Sequence, residues 1–417
     1  MASAGSSSPP EQRPRRSTRL AAVAALALAL LIGACAWRLI TQAPPALVIH
    51  RTLASYVRLE GPRPVLAWPP EGEAAVEVEG VGSFGVSGST AAVPIASLAK
   101  VMTAYVTLLE HPLAAGSAGF VMVVDRADAE EQRARAELGE STVPVSIGEH
   151  ISERQALQAL LLPSANNIAA MLADEDAGGV AAFLARMNAA ARGLGMSSTT
   201  YTDPSGFDRA TVSTAADQLK LAAAAMSVPA FAATVDESSA ALPLVGAIAN
   251  YASLVGRDGY VGVKTGSDRA AGGCFMFAKR ITVAGRPLTV LGVVLSQRGG
   301  PLIATALGSA QRLGDSAAGA VRLVTALPRG ESVLTVTASN GRHTSAVTSG
   351  TLQRIGWPGL QVALAVTPGP AISRLRAGER VARVSVGGTA AARSAVPAVA
   401  GGALAGPSLG WRLRHLL

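Results

Sequence analysis

Residues 20–37, LAAVAALALALLIGACAW, form an apolar run without a charge, preceded by Arg13, Arg15, Arg16 and Arg19. A helix of that length crosses a bilayer core, and the arginines before it are expected to stay cytoplasmic, sending the rest of the chain outside. Ala34-Cys35-Ala36 also has the form of a signal-peptidase site, and Ile32-Gly33-Ala34-Cys35 loosely that of a lipoprotein box. The length of the run and Arg38 close behind it favour an uncleaved anchor. Residues 1–19, rich in Ser, Pro and Arg, read as a disordered cytoplasmic tail.

A Pro-rich stretch follows, and 38–70 reads as a linker. Short apolar alternation over 74–89 predicts strands and turns. The spacing over 93–109 predicts a helix. Strands are predicted over 121–125 and 143–146, separated by a polar Glu/Arg-rich excursion. Helices are predicted over 152–162 and 166–172, broken at Pro163-Ser164, and again over 180–194. Three consecutive strands are predicted over 259–264, 272–280 and 288–296. Further on, β patterning at 332–338, 360–366 and 380–386 marks a second, smaller domain. The expected organisation is therefore a main body over 71–322, a β-rich domain over 323–392, and a tail over 393–417 to which no fold is assigned.

Composition narrows the function classes. The chain has 417 residues, 49% hydrophobic and 15% charged, which excludes a disordered protein; with 4% aromatics its core must use small aliphatic side chains. The net charge of +8 is scattered, with no basic stripe interleaved with aromatics and no zinc-finger spacing, so nucleic acid is not an expected partner. Cys35 and Cys274 lie too far apart in context for a disulfide framework, and no Cys/His cluster has metal-ligand spacing. No metal or cofactor is expected. Of the 36 basic residues only Lys100, Lys220, Lys264 and Lys279 are lysines. Where Arg serves every ordinary cation, a retained lysine suggests a need for a group that can lose its proton or act as a compact charge.

Two of those lysines fall in motifs. Ser97-Leu98-Ala99-Lys100 places a hydroxyl and an amine three residues apart on one predicted helix face. A serine needs an adjacent base to become a nucleophile, and a lysine desolvated among Ile95, Leu98, Val101 and Met102 can be that base. Ser164-Ala165-Asn166 sits at a Pro-induced break, where the side chains either cap a helix or enter a cleft. Lys264-Thr265-Gly266 ends a predicted strand, offering a cation and a hydroxyl to a carboxylate, with a glycine that lets a substrate backbone approach. Each motif alone has an ordinary structural explanation. Together, in this order, they match the S-x-x-K, S-x-N, K-T-G signature of penicillin-interacting serine enzymes.

The wider segments extend the match. Residues 94–104 (PIASLAKVMTA), 161–167 (LLPSANN), 203–208 (DPSGFD) and 262–266 (GVKTG) with Ala271-Gly272 resemble the blocks of the low-molecular-weight D-alanyl-D-alanine carboxypeptidases, and 377–382 (AGERVA) resembles a segment of their C-terminal domain. That resemblance implies an α/β (α+β) serine β-lactamase/penicillin-binding-protein-like fold: an antiparallel sheet flanked by helices with a helical subdomain, plus a smaller β-rich domain. It implies Ser97 as nucleophile, Lys100 as proton acceptor and Ser164 as proton relay. Asn166, Lys264 and Thr265 would bind substrate, and the backbone N–H groups of Ser97 and Ser267 would form the oxyanion hole. The implied partners are peptidoglycan stem peptides, β-lactam antibiotics as covalent inhibitors, and the membrane through the N-terminal segment.

Three positions depart from the family pattern. Ser267-Asp268 follows the third motif where a residue and then Thr is common, and an acidic group there threatens anion binding. Asn167 stands for a common Asp and Phe207 for a common Leu. A β-lactamase is the first alternative, though no E-x-x-L-N segment is present; a catalytically silent wall-binding relative is the second. Gly406-Pro407-Ser408-Leu409-Gly410 has the G-x-S-x-G spacing but lies in the tail, without a strand-turn-helix to hold it. Cys274 is read as a buried small hydrophobe.

Overall fold

The computed structural model describes residues 16–41, 45–387 and 394–414. Of the segment 1–19 expected to be disordered, 1–15 lie outside the described residues and 16–19 are instead the first turn of a helix. The helix Arg16–Thr41 carries the apolar run, and its stretch Arg19–Thr41 is long and apolar enough to cross a membrane, with none of it buried against the rest of the protein.

The catalytic body is built on a five-stranded antiparallel sheet. Its order is Tyr260–Asp268, Gly272–Val283, Arg286–Gln297, Glu73–Val78 and Gly82–Gly88. Side chains alternate between its faces. Cys274, Met276 and Ala278 join one core with the helix Ala99–Glu110 and its neighbours. Phe275 and Phe277 join another, against the helix Leu302–Ala320. Gly292 is required there, because a Cβ would lie 2.2 Å from the Phe277 ring. Few aromatics are available, and these two are spent where helix and sheet meet.

A second sheet of seven strands runs Val48–Arg51, Ser332–Thr337, His343–Thr348, Ser394–Ala400, Arg380–Val386, Gln361–Pro368, Tyr56–Arg58. Two expectations are corrected here. The segment 38–70 is more than a linker, because two of its strands form the edges of this sheet. The tail is not without fold: Ser394–Ala400 pairs on both sides, with Ala398 and Ala400 buried. Short, alanine-rich or proline-flanked strands have little pattern of their own, and their partners lie far along the chain.

Other differences are local. The helix expected over 93–109 is divided: Val93–Pro94 is a strand paired with Val212–Ser213, Ala96–Leu98 is one 3₁₀ turn, and the α-helix is Ala99–Glu110. No strand forms over 143–146, because the backbone N–H and C=O of Val143 are bound by the Asn167 side chain. Val121–Val123 pairs with His150–Ser152 instead. The Glu/Arg-rich excursion contains the helix Arg126–Glu137, opened by a reciprocal capping box between Asp125 and Asp128. The motif Lys264-Thr265-Gly266 lies inside its strand, which continues to Asp268.

Candidate active site

Ser97 sits in the 3₁₀ turn that precedes the helix Ala99–Glu110, half-buried, after Ala96 in a left-handed conformation (φ 47°). The expected i, i+3 relation to Lys100 survives the change of helix type. Lys100 Nζ lies 2.8 Å from Ser97 Oγ and donates to the Ser205 carbonyl at 3.0 Å. The lysine is fully buried. Burial, and then the nearby charge of Lys264, hold its pKa well below the usual value for lysine. A neutral amine beside a serine hydroxyl is the arrangement a general base requires.

The Ser205 carbonyl is fixed by a tight turn. Asp203 Oδ2 accepts from the Ser205 hydroxyl at 2.6 Å and from the Phe207 N–H at 2.9 Å, while Oδ1 accepts from the Thr211 hydroxyl at 2.7 Å. Thr103, on the helix Ala99–Glu110, donates to the Pro204 carbonyl at 2.6 Å. Gly206 follows with φ 79°, and a Cβ on it would stand 1.8 Å from the Ala96 carbonyl oxygen. The 203–208 block therefore forms the floor under the Ser97 turn, a role that its composition alone did not suggest.

The edge strand Tyr260–Asp268 lies on the other side of Ser97. A Cβ on Gly266 would come within 2.9 Å of the Ser97 backbone nitrogen, so only glycine permits this approach. Lys264 is 1% exposed, donates to the Thr265 carbonyl at 3.0 Å, and has its pKa lowered to about 7 by burial. Thr265 is buried and Ser267 exposed. The Asp268 carboxylate accepts from the N–H groups of Ala270 and Ala271, each at 2.6 Å. It closes the turn into the next strand through Oδ1.

Ser164 adopts φ 68° before the helix Asn166–Ala177. Neither Ser164 nor Asn166 caps this helix; Ala165 is the N-cap residue and makes no side-chain bond. Ser164 Oγ and Asn166 Oδ1 are both buried without a hydrogen-bond partner in the protein. Asn166 Nδ2 donates to Glu140 Oε2 at 2.6 Å, and Arg135 Nη1 donates to the same oxygen at 2.9 Å. Arg135 and Glu140 escaped the sequence reading because they belong to a polar stretch with no motif. A cavity of about 520 Å³ opens beside Arg135 and Asn166 and is lined also by Asp203, Ser205, Phe207 and Arg209.

The profile of the peptidase S11 family, described as D-alanyl-D-alanine carboxypeptidase, matches residues 87–297, half of the chain. A D-alanyl-D-alanine endopeptidase of Pseudomonas aeruginosa is 38% identical over 138 residues, 33% of this chain and 41% of that protein. The D-alanyl-D-alanine carboxypeptidase DacB2 of Mycobacterium tuberculosis is 36% identical over 216 residues, 50% of this chain and 69% of that one. The crystal structure of the D-alanyl-D-alanine carboxypeptidase DacD from Francisella tularensis shares the fold, with a TM-score of 0.57, 18% identity, and coverage of 83% of this chain and 96% of that one. The α+β architecture with its additional β-rich domain is thus the fold that the motifs implied. The chain belongs to the peptidase S11 family of D-alanyl-D-alanine carboxypeptidases.

Proposed function

We propose that the chain is a serine D-alanyl-D-alanine carboxypeptidase acting on peptidoglycan stem peptides and acylated by penicillins. The observation that carries this reading is the 2.8 Å approach of Ser97 Oγ to a buried amine whose protonated form is disfavoured. Ser97 Oγ attacks the carbonyl between the terminal D-alanines, and its proton passes to Lys100 Nζ. The oxyanion is held by the backbone N–H groups of Ser97 and Ser267. Ser164 relays the proton to the leaving amine, D-alanine departs, and an ester on Ser97 remains. Water then attacks the ester, the serine recovers its proton, and the shortened peptide leaves. Lys264 and Thr265 hold the terminal carboxylate, and Asn166 holds the peptide backbone. Against a β-lactamase reading, no E-x-x-L-N segment supplies a carboxylate to activate the deacylating water.

The N-terminal helix supports an anchored protein whose catalytic body lies outside the cytoplasmic membrane. A reporter penicillin tests the chemistry: the wild type labels covalently and Ser97→Ala does not. A wild type without label overturns the mechanism, and an unchanged label on Ser97→Ala overturns the residue assignment. Release of D-alanine from a stem peptide, with slow penicillin turnover, separates a carboxypeptidase from a β-lactamase.

A further inference from the structure

A neutral lysine amine carries two N–H groups and one lone pair, and only the lone pair can take a proton from a serine. Lys100 Nζ lies 2.8 Å from Ser97 Oγ and 3.0 Å from the Ser205 carbonyl oxygen. A carbonyl oxygen accepts and never donates. It therefore commits one N–H to itself and keeps the lone pair out of its own direction. The Ser97 hydroxyl can donate, so it is a partner the lone pair can use. This bias is only as firm as the carbonyl that imposes it.

That carbonyl belongs to the Ser205–Gly206 peptide, which one atom clamps from both sides. Asp203 Oδ2 accepts from the Ser205 N–H at 3.2 Å and the Ser205 hydroxyl at 2.6 Å on one side, and from the Phe207 N–H at 2.9 Å on the other. Oδ1 accepts from the hydroxyl of Thr211, a fully buried residue, at 2.7 Å. The Thr211 carbonyl in turn accepts from the Ile95 N–H at 3.4 Å, next to the pairing of Val93–Pro94 with Val212–Ser213. Asp203 thus ties the carbonyl to the same strand pair that leads into the Ser97 turn. Its charge reaches Lys100 as well. Burial most of all, and then Lys264, make the amine hard to protonate; Arg135 adds to them, while Asp203 and Glu140 act in the opposite sense.

We infer that Asp203 is a positioning residue for the general base: by clamping the Ser205 carbonyl it keeps one N–H of Lys100 engaged and leaves the lone pair for the Ser97 hydroxyl. The carboxylate acts through that carbonyl and through its field, and it stands outside the three motifs. This role rests on the carboxypeptidase reading above.

The experiment measures the second-order rate of acylation by a reporter penicillin across pH in the full chain, with the unfolding midpoint recorded for each variant. Asp203→Asn removes the charge and the acceptor for Ser205 and Phe207. The plateau rate should fall on the order of 10–100-fold, and the acid limb should move to lower pH, because a negative charge that favoured protonated Lys100 is gone. Ser205→Ala keeps the carbonyl but loses its shortest tether, and should cost about 10-fold. Beside Asp203→Asn the same change should cost less than about twofold, since the clamp is already lost. Thr103→Val loosens the same turn at Pro204 without altering charge; it should lower the midpoint and leave the limb in place. A purely structural role for Asp203 predicts a fixed limb and rate losses that follow the midpoints. A limb unmoved or moved to higher pH in Asp203→Asn overturns the inference, as do losses that multiply in the double variant. Ser205→Ala at the wild-type rate overturns it even if Asp203→Asn does not fold. A wild type that does not label, or that shows no acid limb, overturns instead the reading of Lys100 as the base, so the two failures are distinct.

Discussion

Gly206 lies under the nucleophile turn, and Gly206→Ala tests whether that contact sets the position of Ser97. The substitution meets two penalties. At φ 79° a Cβ is in the left-handed region, which costs roughly 1–2 kcal/mol. The new methyl would also stand 1.8 Å from the Ala96 oxygen, 2.5 Å from its carbonyl carbon and 3.0 Å from Ala99 Cβ. Carbonyl and methyl cannot share that space, so the turn must move by about 1 Å or more, at a further cost of roughly 1–3 kcal/mol. Gly195→Ala is the control, because Gly195 has φ 70° but nothing within 4 Å of a Cβ. It meets the first penalty alone. Thermal unfolding should show Gly206→Ala about 1–3 kcal/mol less stable than Gly195→Ala. Penicillin acylation should separate them further. Ala96 is the residue before Ser97, and a displacement of about 1 Å at a reacting group costs on the order of 100-fold, while Gly195→Ala acylates like the wild type. Equal stability of the two variants with equal acylation rates would refute the reasoning.

Lys264 penalises the fold at neutral pH. Unfolded, it keeps its proton to about pH 10.5, but folded only to about 7; the penalty is therefore full below pH 7 and fades as pH rises towards 10.5. Lys264→Met should stabilise by up to roughly 5 kcal/mol at about pH 6 and barely at about pH 11, at about 1.4 kcal/mol per pH unit of displacement; a pH-independent effect in denaturant unfolding would contradict this. Acylation by the wild type should fall on the acid side as Lys100 takes a proton, and Lys264→Met, by removing a nearby cation, should move that limb to higher pH; rapid-mixing kinetics across the pH range read it. Asp268→Ala should cost about 1–2 kcal/mol by freeing two N–H groups and leave acylation within about threefold; a much tighter anionic substrate would show that the carboxylate faces the cleft. Buried Arg354 donates to the carbonyls of Ile355, Gly387 and Val81 at 3.0, 2.8 and 3.1 Å, so Arg354→Met should cost roughly 2–4 kcal/mol and open the 79–82 turn to proteolysis; wild-type resistance would refute that role.

Much of the site was legible because its chemistry demands unusual residues close together. Lys100 stood out as a rare lysine in apolar surroundings, and its spacing to Ser97 holds whether the turn is α or 3₁₀. Lys264 stood out in the same way. Glu140 and Arg135 were illegible for the opposite reason: in a Glu/Arg-rich stretch, one more pair looks like solvated surface, and its meaning comes from Asn166, 26 positions onward. The bond from Asp268 to the following turn was not legible, because strand alternation predicts a face and not a partner. In the β-rich domain, Arg380–Val386 alternates cleanly and was legible, whereas Ser394–Ala400 is mostly alanine and valine with a proline, and carries no polar face to set a period.

The strand Ser394–Ala400 joins Val48–Arg51, Ser332–Thr337 and His343–Thr348 on one side to Arg380–Val386, Gln361–Pro368 and Tyr56–Arg58 on the other. A chain made from its N-terminus must therefore hold two early strands in waiting while the whole catalytic body is synthesised between them. The sheet closes only when this last of its strands emerges from the ribosome. Until then each three-stranded half presents a raw edge of unpaired N–H and C=O groups, the kind of edge that recruits foreign strands. A premature stop before Ser394 would leave Ser97 and its neighbours intact in sequence, yet attach them to two open sheet fragments prone to aggregation.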